Sequence, residues 1–380
     1  MLTVALPFGV VLGPPPTPIS QTTGRGRCGT ENDREHTGKD RLPMDNVMSV
    51  EQSNKELVKE LWRALDATEN ADVATQFAPA FKWTGMAPIN GSKGFKSYMA
   101  EFWTPFRRSF GTFQREIHIL LAGKSNASPD GTGSEGHWVG ATGYFVGTQQ
   151  SSFLGIPAGE QPVRIRWGEF LKIEEGQIVD VQFQLDLVDW CEQLGINLLP
   201  KPRGASHVYP APTAVEGVQT GRADADTTAQ TLALGRALIY DGLNEFDQDN
   251  LESMGMRAFF HKNLKWYGPG GIGACLSMSE FEELHQAPWL VAFPDRKVQG
   301  LESLFAEGNF VAGSGVAGVI ASHTGPYLGY PPKNAQFGIS GLDFWLRTDN
   351  KFTENWVFVD MIKMFADMGY DLLAPLRTQP

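Results

Sequence analysis

The 380-residue sequence has only three cysteines, no run of lysine and arginine, and no apolar stretch long enough to span a bilayer. Each shortage excludes something. Cys28, Cys191 and Cys275 are an odd number without metal-like spacing, so they read as free thiols in a reducing, cytoplasmic setting rather than as a disulfide frame. Net charge is −11, from 32 basic and 43 acidic residues, which makes nucleic acid and anionic membrane poor partners. Gly-x-Ser-x-Gly, Cys-x-x-Cys and His-x-x-x-His are missing, which argues against serine-hydrolase and zinc chemistry. Neither a metal nor a cofactor is expected. The opening "MLTVALPFGVVLGPPP" lacks the basic leader of a secretory signal and meets proline too early for a spanning helix. Residues 1–50 are rich in Gly, Pro, Thr and mixed charge without periodicity and read as a disordered tail, with Met44 or Met48 as alternative starts.

What the chain does have is a repeat. "FKWTG" at 81–85 returns as "LKWYG" at 264–268, and "FLGIP" at 153–157 as "YLGYP" at 327–331. "EFLKIEEGQIVDVQFQLDLVDWCEQLGINLL" at 169–199 lies over "DFWLRTDNKFTENWVFVDMIKMFADMGYDLL" at 343–373. The later pairs share an offset of 174 and the first pair an offset of 183, so the first copy carries nine extra residues. The loop-like "KSNASPDGTG" is the place for them. The organisation is then a tail (1–50), one copy (51–199), a Pro-, Gly- and Ala-rich linker (200–228) and a second copy (229–380).

Each copy repeats one order of elements. "NKELVKELWRAL" sets Leu57, Leu61, Trp62 and Leu65 on one helical face, and "AQTLALGRALIYDGL" does likewise. A short aromatic strand and a second helix follow, then long strands ending in a hairpin around "EEGQ" or "DNKF". This order predicts α+β, with helices covering one side of a curved sheet. A hairpin centred between Asp349 and Asn350 sets Asp343 opposite Trp356 and Ile339 opposite Asp360. Residues 356, 358 and 360 would then share a face with 343 and 345. Asp360 sits in an apolar run, and the repeat places Asp186 on the same spot in the first copy.

"SHTGPYLGYPP" at 322–332 and "GLDFWLRTDNKFTENWVFVDMIKMFADMG" at 341–369 resemble the SnoaL-like polyketide cyclases of the nuclear-transport-factor-2-like superfamily. The likeness lies in the His-Thr-Gly…Pro-Pro turn and in the hairpin ending Glu-x-Trp…Asp. The first copy departs from it, with Gln149 facing His323 and Gln182 facing Trp356. The resemblance implies a tandem pair of conical barrels, each a strongly curved, mostly antiparallel sheet under N-terminal helices, open to a small hydrophobic ligand. It implies that Asp360 serves as general acid/base in an aldol closure, its pKa raised by Trp356 and Phe358. The alternative is that Asp360 and Asp186 each cap the helix that follows. Asp343 and Glu169 offer a second carboxylate beside the terminal acid. His323 could polarise a carbonyl or simply occupy a turn. Trp266, Tyr267, Trp345, Trp356, Phe358, Trp83 and Trp167 are candidate ligand walls or core. His118, His137, His261 and His285 read as structural or surface groups.

"GPGGIG" at 268–273 and "GSGVAG" at 313–318 fit a dinucleotide fingerprint, but no alternating parallel β/α pattern surrounds them, so they read as loop glycines. Two functions lead, with a dehydratase or a hydroxylase-associated accessory subunit as a third possibility. One is a cofactor-free cyclase, isomerase or hydrolase acting on a hydrophobic carbonyl or polycyclic compound. The other is a binding or scaffold protein in which the two copies pair like a dimer within one chain.

Overall fold

The computed structural model describes residues 48–128, 136–245, 250 and 254–377, so Cys28 and nearly all of the expected tail lie outside it. The first helix, Val50–Ala67, starts where Ser49 accepts from the Gln52 amide and the Gln52 side chain returns a bond to Ser49. Val58, Leu61, Trp62 and Leu65 form its buried face, one step from the predicted set at Leu57.

The strands of the first copy are β1 (Phe77–Thr84), β2 (Ser92–Lys93), β3 (Phe110–Lys124), β4 (His137–Gln149), β5 (Val163–Glu174) and β6 (Gln177–Leu185). They form one sheet ordered β2-β1-β6-β5-β4-β3. The second copy supplies β7 (Phe260–Tyr267), β8 (Ala274–Cys275), β9 (Lys297–Val298), β10 (Ser303–Glu307), β11 (Phe310–Ser322), β12 (Gln336–Thr348) and β13 (Lys351–Val359). Its sheet runs β8-β7-β13-β12-β11-β10, with β9 paired to β11. Only β1–β6 and β7–β13 pair in parallel; the other ladders are antiparallel. The fold is thus α+β and duplicated. Among the described residues neither sheet closes on itself, so each half is an open sheet wrapped on its helices rather than a sealed barrel. The helical stretches 95–108 and 278–292 also correspond, down to a wide turn at Tyr98–Trp103 and at Phe281–Gln286.

The extra residues of the first copy fall between β3 and β4, where 125–136 stand against 308–310 of the second copy; residues 129–135 lie outside the described set. No helix among the described residues is long and apolar enough to cross a membrane.

The hairpin register differs from the sequence expectation. The turn pairs Thr348 with Lys351 as predicted, but the register shifts between Leu346 and Arg347, leaving Thr353 as an extra residue. Beyond it Asp343 faces Val357 and Phe344 faces Trp356. One added residue turns every later side chain to the opposite face. Asp343 and Trp345 therefore share a face with Asn355 and Val357, while Trp356 and Phe358 point the other way.

That other face is where the two sheets meet. Phe170, Phe305, Phe344, Tyr267, Trp356 and Phe358 belong to one buried cluster, apart from the main core. Phe170 and Phe344, equivalent by the offset of 174, touch across it with ring centroids 5.1 Å apart. Gly168 lets the sheets approach: a Cβ there would meet Leu342 and Phe358 at 3.0 Å. The bridge from 200 onward is pinned to both halves. Ala205 exchanges backbone bonds with Ala274 at 2.8 and 2.9 Å, and Gln219 donates to the Leu120 carbonyl.

Candidate functional site

Asp360 follows β13 directly and caps the helix Met361–Asp367. Its Oδ1 accepts from the Lys363 amide at 3.0 Å, and its Oδ2 accepts from the Ala87 amide of the other half at 2.8 Å. Asp186 does the same in reverse: Oδ1 accepts from the Asp189 amide at 3.0 Å and Oδ2 from the Gly270 amide at 2.8 Å. Ala87 and Gly270 are themselves equivalent, 183 residues apart. The two acids are therefore exchanged across the junction, each closing its own helix and the partner copy's turn. Burial raises the Asp360 pKa to about 6 despite these donors. Burial also raises that of Asp186, against the pull of Arg166, whose Nη1 lies 3.2 Å away. Asp360 faces a cavity of about 80 Å³ at the junction, lined also by Gln182, Gln184 and Ser340, and not the aromatic hollow. The expected neighbours Trp356 and Phe358 are in the inter-sheet cluster, where Trp356 Nε1 donates to the Pro210 carbonyl at 2.8 Å and Phe358 meets Tyr209.

The hollow itself lies in the second half, between its sheet and its helices. It is a cavity of about 200 Å³ lined by apolar groups including Leu238, Phe260, Trp266, Phe281, Trp289 and Trp345. Its polar members are Asp343, Asn355, His285, Gln286 and Arg296. Asp343 is partly accessible, opening onto this space. Asn355 Nδ2, which donates to the Phe344 carbonyl at 3.1 Å, sits 3.4 Å from Asp343 Oδ1. Removal from water raises the Asp343 pKa to about 7, with Asn355 opposing weakly. The imidazole of His285 stacks on Trp266 at 4.1 Å. Burial, then the charge of Arg296, pushes its pKa down to about 3, so it is neutral.

The first half has the same architecture with bulkier side chains on the inward face. Trp167, Phe145 and Phe183 stand where the second half has Gly341, Val319 and Val357. Phe145 stacks on Trp167 at 5.4 Å. Glu169, equivalent to Asp343, accepts from Trp62 Nε1 at 2.7 Å and lies 3.6 Å from Arg115. The Arg115 guanidinium is wedged among Trp62, Trp103, Phe145 and Trp167, within 4.6–5.5 Å of each ring, and is paired with Asp66. Burial still raises the Glu169 pKa to about 7, against Arg115 and Trp62. Trp83 packs on Phe102 and Tyr98 and donates to Ser92, as core.

Of the residues singled out in the sequence, the cavity gathers Asp343, Trp266 and Trp345, with Phe358 touching its edge while its ring turns away. Tyr267 packs on Trp356 outside it. His323 is buried beside Phe293 and Tyr370, near the Gly325 backbone, and is not a cavity residue. Sequence reasoning missed Asn355, Gln286 and Arg296 and set His285 aside. The available signal was comparison between copies: His285 replaces Phe102 and Gln286 replaces Trp103, polar groups where the filled half has rings.

Known proteins can now be set beside this geometry. A protein from Jannaschia sp. CCS1 assigned as a SnoaL-like polyketide cyclase is 17% identical, covering 39% of this chain and 97% of its own, with TM-score 0.34. AclR of Streptomyces galilaeus, assigned as a hydroxylase, is 22% identical over 37% of this chain and 82% of its own, with TM-score 0.31. A protein from Acidithiobacillus ferrooxidans assigned as a polyketide cyclase is 20% identical over 37% and 94%, with TM-score 0.31. No curated protein matches the chain. The model of the SnoaL-like polyketide cyclase family matches twice, over residues 56–194 and 238–368. With both segments together spanning well over half of its length, the chain belongs to the SnoaL-like polyketide cyclase family, as two tandem copies.

Proposed function

We propose that the second half is a cofactor-free acid/base enzyme acting on a small hydrophobic carbonyl compound, with Asp343 as the proton-transferring group. The observation that carries this reading is a carboxyl group with pKa about 7 opening onto an apolar cavity of about 200 Å³. A group poised near neutrality can take a proton next to a carbonyl and return it elsewhere, which is the elementary step of enolisation, aldol closure and isomerisation. Asn355 is placed to orient that carboxyl. Trp266 and Trp345 would flank the substrate ring, and the neutral His285 and the cationic Arg296 could donate to its oxygen.

The test is exchange of α-protons of 1-tetralone with deuterium, followed by NMR. Wild type should exceed buffer, and Asp343→Asn should lose about 100-fold or more while remaining folded. Asp360→Ala should keep the exchange rate and lose about 2–4 kcal/mol of stability, because it removes a helix cap and leaves the Ala87 amide buried without an acceptor. Exchange that survives in Asp343→Asn and vanishes in a stably folded Asp360→Ala would return the role to Asp360.

The filled interior of the first half favours a second role for that copy. There Glu169 is held by Trp62 and Arg115 and rings occupy the inward face, so we assign it the part of a built-in partner without chemistry of its own.

A further inference from the structure

A second cavity of about 310 Å³ adjoins the first, and His285 lines both. Its other walls include Leu284 and Pro288, the loop around Tyr327, and Pro200, Lys201 and Arg203 at the start of the linker. This tail segment is fixed in place. A Cβ on Gly271 would meet Leu199 at 2.4 Å, and one on Gly329 would meet Pro200 at 3.1 Å; Gly204 donates to the Ile272 carbonyl at 3.1 Å. The linker thus supplies part of the wall of a pocket belonging to the second half.

The polar groups of this pocket lack partners. Lys201 and Arg203 are exposed and make no ion pair or hydrogen bond among the described residues. Among the described residues the Tyr327 hydroxyl, on a residue 3% exposed, has no hydrogen-bond partner, and neither has His285 Nδ1. No acidic residue lines the pocket. In the first copy the residues equivalent to His285 and Tyr327 are Phe102 and Phe153, so the polar atoms occur only in the half that keeps its hollow. Two cations without counter-ions beside an unsatisfied buried hydroxyl make a site for a negative charge.

We propose that this outer pocket binds the carboxylate of an amphipathic substrate, whose apolar body reaches past His285 into the inner cavity. Lys201 and Arg203 supply the charge and the Tyr327 hydroxyl donates a hydrogen bond to the anion. The neutral His285 forms the threshold between the two compartments. The inference rests on the inner cavity being the substrate site, and it adds the chemical class of the substrate: an aromatic or polycyclic carbonyl compound bearing an acid group.

The experiment compares 1-naphthaleneacetate with its uncharged methyl ester, titrated against tryptophan fluorescence of the full chain. Wild type is expected to bind the acid about 10-fold more tightly than the ester in low salt, and the advantage should shrink toward unity in about 0.5 M NaCl. Lys201→Ala/Arg203→Ala, two exposed substitutions, should erase the preference while leaving ester affinity within about two-fold. Tyr327→Phe should weaken the acid alone. Equal affinities in wild type, or a preference that survives the double substitution, overturn the anion site. Inorganic phosphate at the same concentration displacing the acid but not the ester supports the site; displacement of both overturns the two-compartment arrangement. If neither compound binds at millimolar concentration, both the inner-cavity reading and this one fall.

Discussion

Asp343 and Glu169 stand at equivalent positions, both removed from bulk water, yet only Asp343 meets open space. Glu169 is held by an indole N–H and a guanidinium, which leaves it no freedom to exchange a proton with a ligand. Among the described residues Asp343 has Asn355 alone, at a long 3.4 Å. The pKa near 7 has a consequence for stability. An acid whose folded pKa lies above its ordinary value of 3.8 holds its proton more tightly when folded. As pH rises from about 4 to 7 the unfolded chain ionises first, so the folded state loses ground, and the loss is complete above 7. Asp343→Asn cannot ionise and escapes it. Urea denaturation at pH 4.5 and pH 8 should show the variant gaining on wild type by about 1–3 kcal/mol across that interval. A difference between the two proteins that does not change with pH would mean that Asp343 is ionised as readily folded as unfolded.

At the scale of elements, the β12–β13 hairpin decides which side chains meet the ligand space. Its extra residue at Thr353 sends Asn355 and Val357 into the hollow and Trp356 to the neighbouring sheet. The same irregularity occurs in the first half, between Lys172 and Ile173, so it belongs to the repeated unit. What differs between the copies is side-chain volume on the inward face. Phe183, Phe145 and Trp167 fill one hollow; Val357, Val319 and Gly341 leave the other empty. Val357→Phe copies the filled state at one position. It should abolish calorimetric binding of the naphthyl methyl ester and change Tm by less than about 3 °C, since the ring enters existing space. Undiminished binding in a folded Val357→Phe protein would place the ligand elsewhere.

At the scale of the molecule, the two halves are joined by reciprocal contacts. Phe170 meets its own equivalent Phe344, and each terminal Asp bonds a turn of the opposite copy. Lys55 of the first helix pairs with Glu307 of β10, whose other oxygen accepts from the Ala122 amide. So much buried apolar and polar surface lies between the sheets that neither half should unfold alone. Scanning calorimetry should give one cooperative transition, and Phe344→Ala, which opens a void at the junction, should lower it as a single peak by about 3–5 kcal/mol. Two resolved transitions in wild type would show halves that are energetically independent.

The sequence by itself determined the duplication, the order of elements in each copy, the hairpin turn at Asp349 and Asn350, and the strand-end position of both aspartates, because offsets and periodicity are local properties of the chain. The tertiary structure decided which face of β13 looks inward. That strand is buried on both sides, against the hollow and against the other sheet, so its alternation carries no sign of inside or outside, and one extra residue reverses the answer. It also decided the fate of Asp360, whose second oxygen is taken by an amide 273 residues away, and it brought Lys201 and Arg203 of the linker to a pocket of the second copy. Contacts at that separation depend on how the two sheets pack, and no local pattern encodes them.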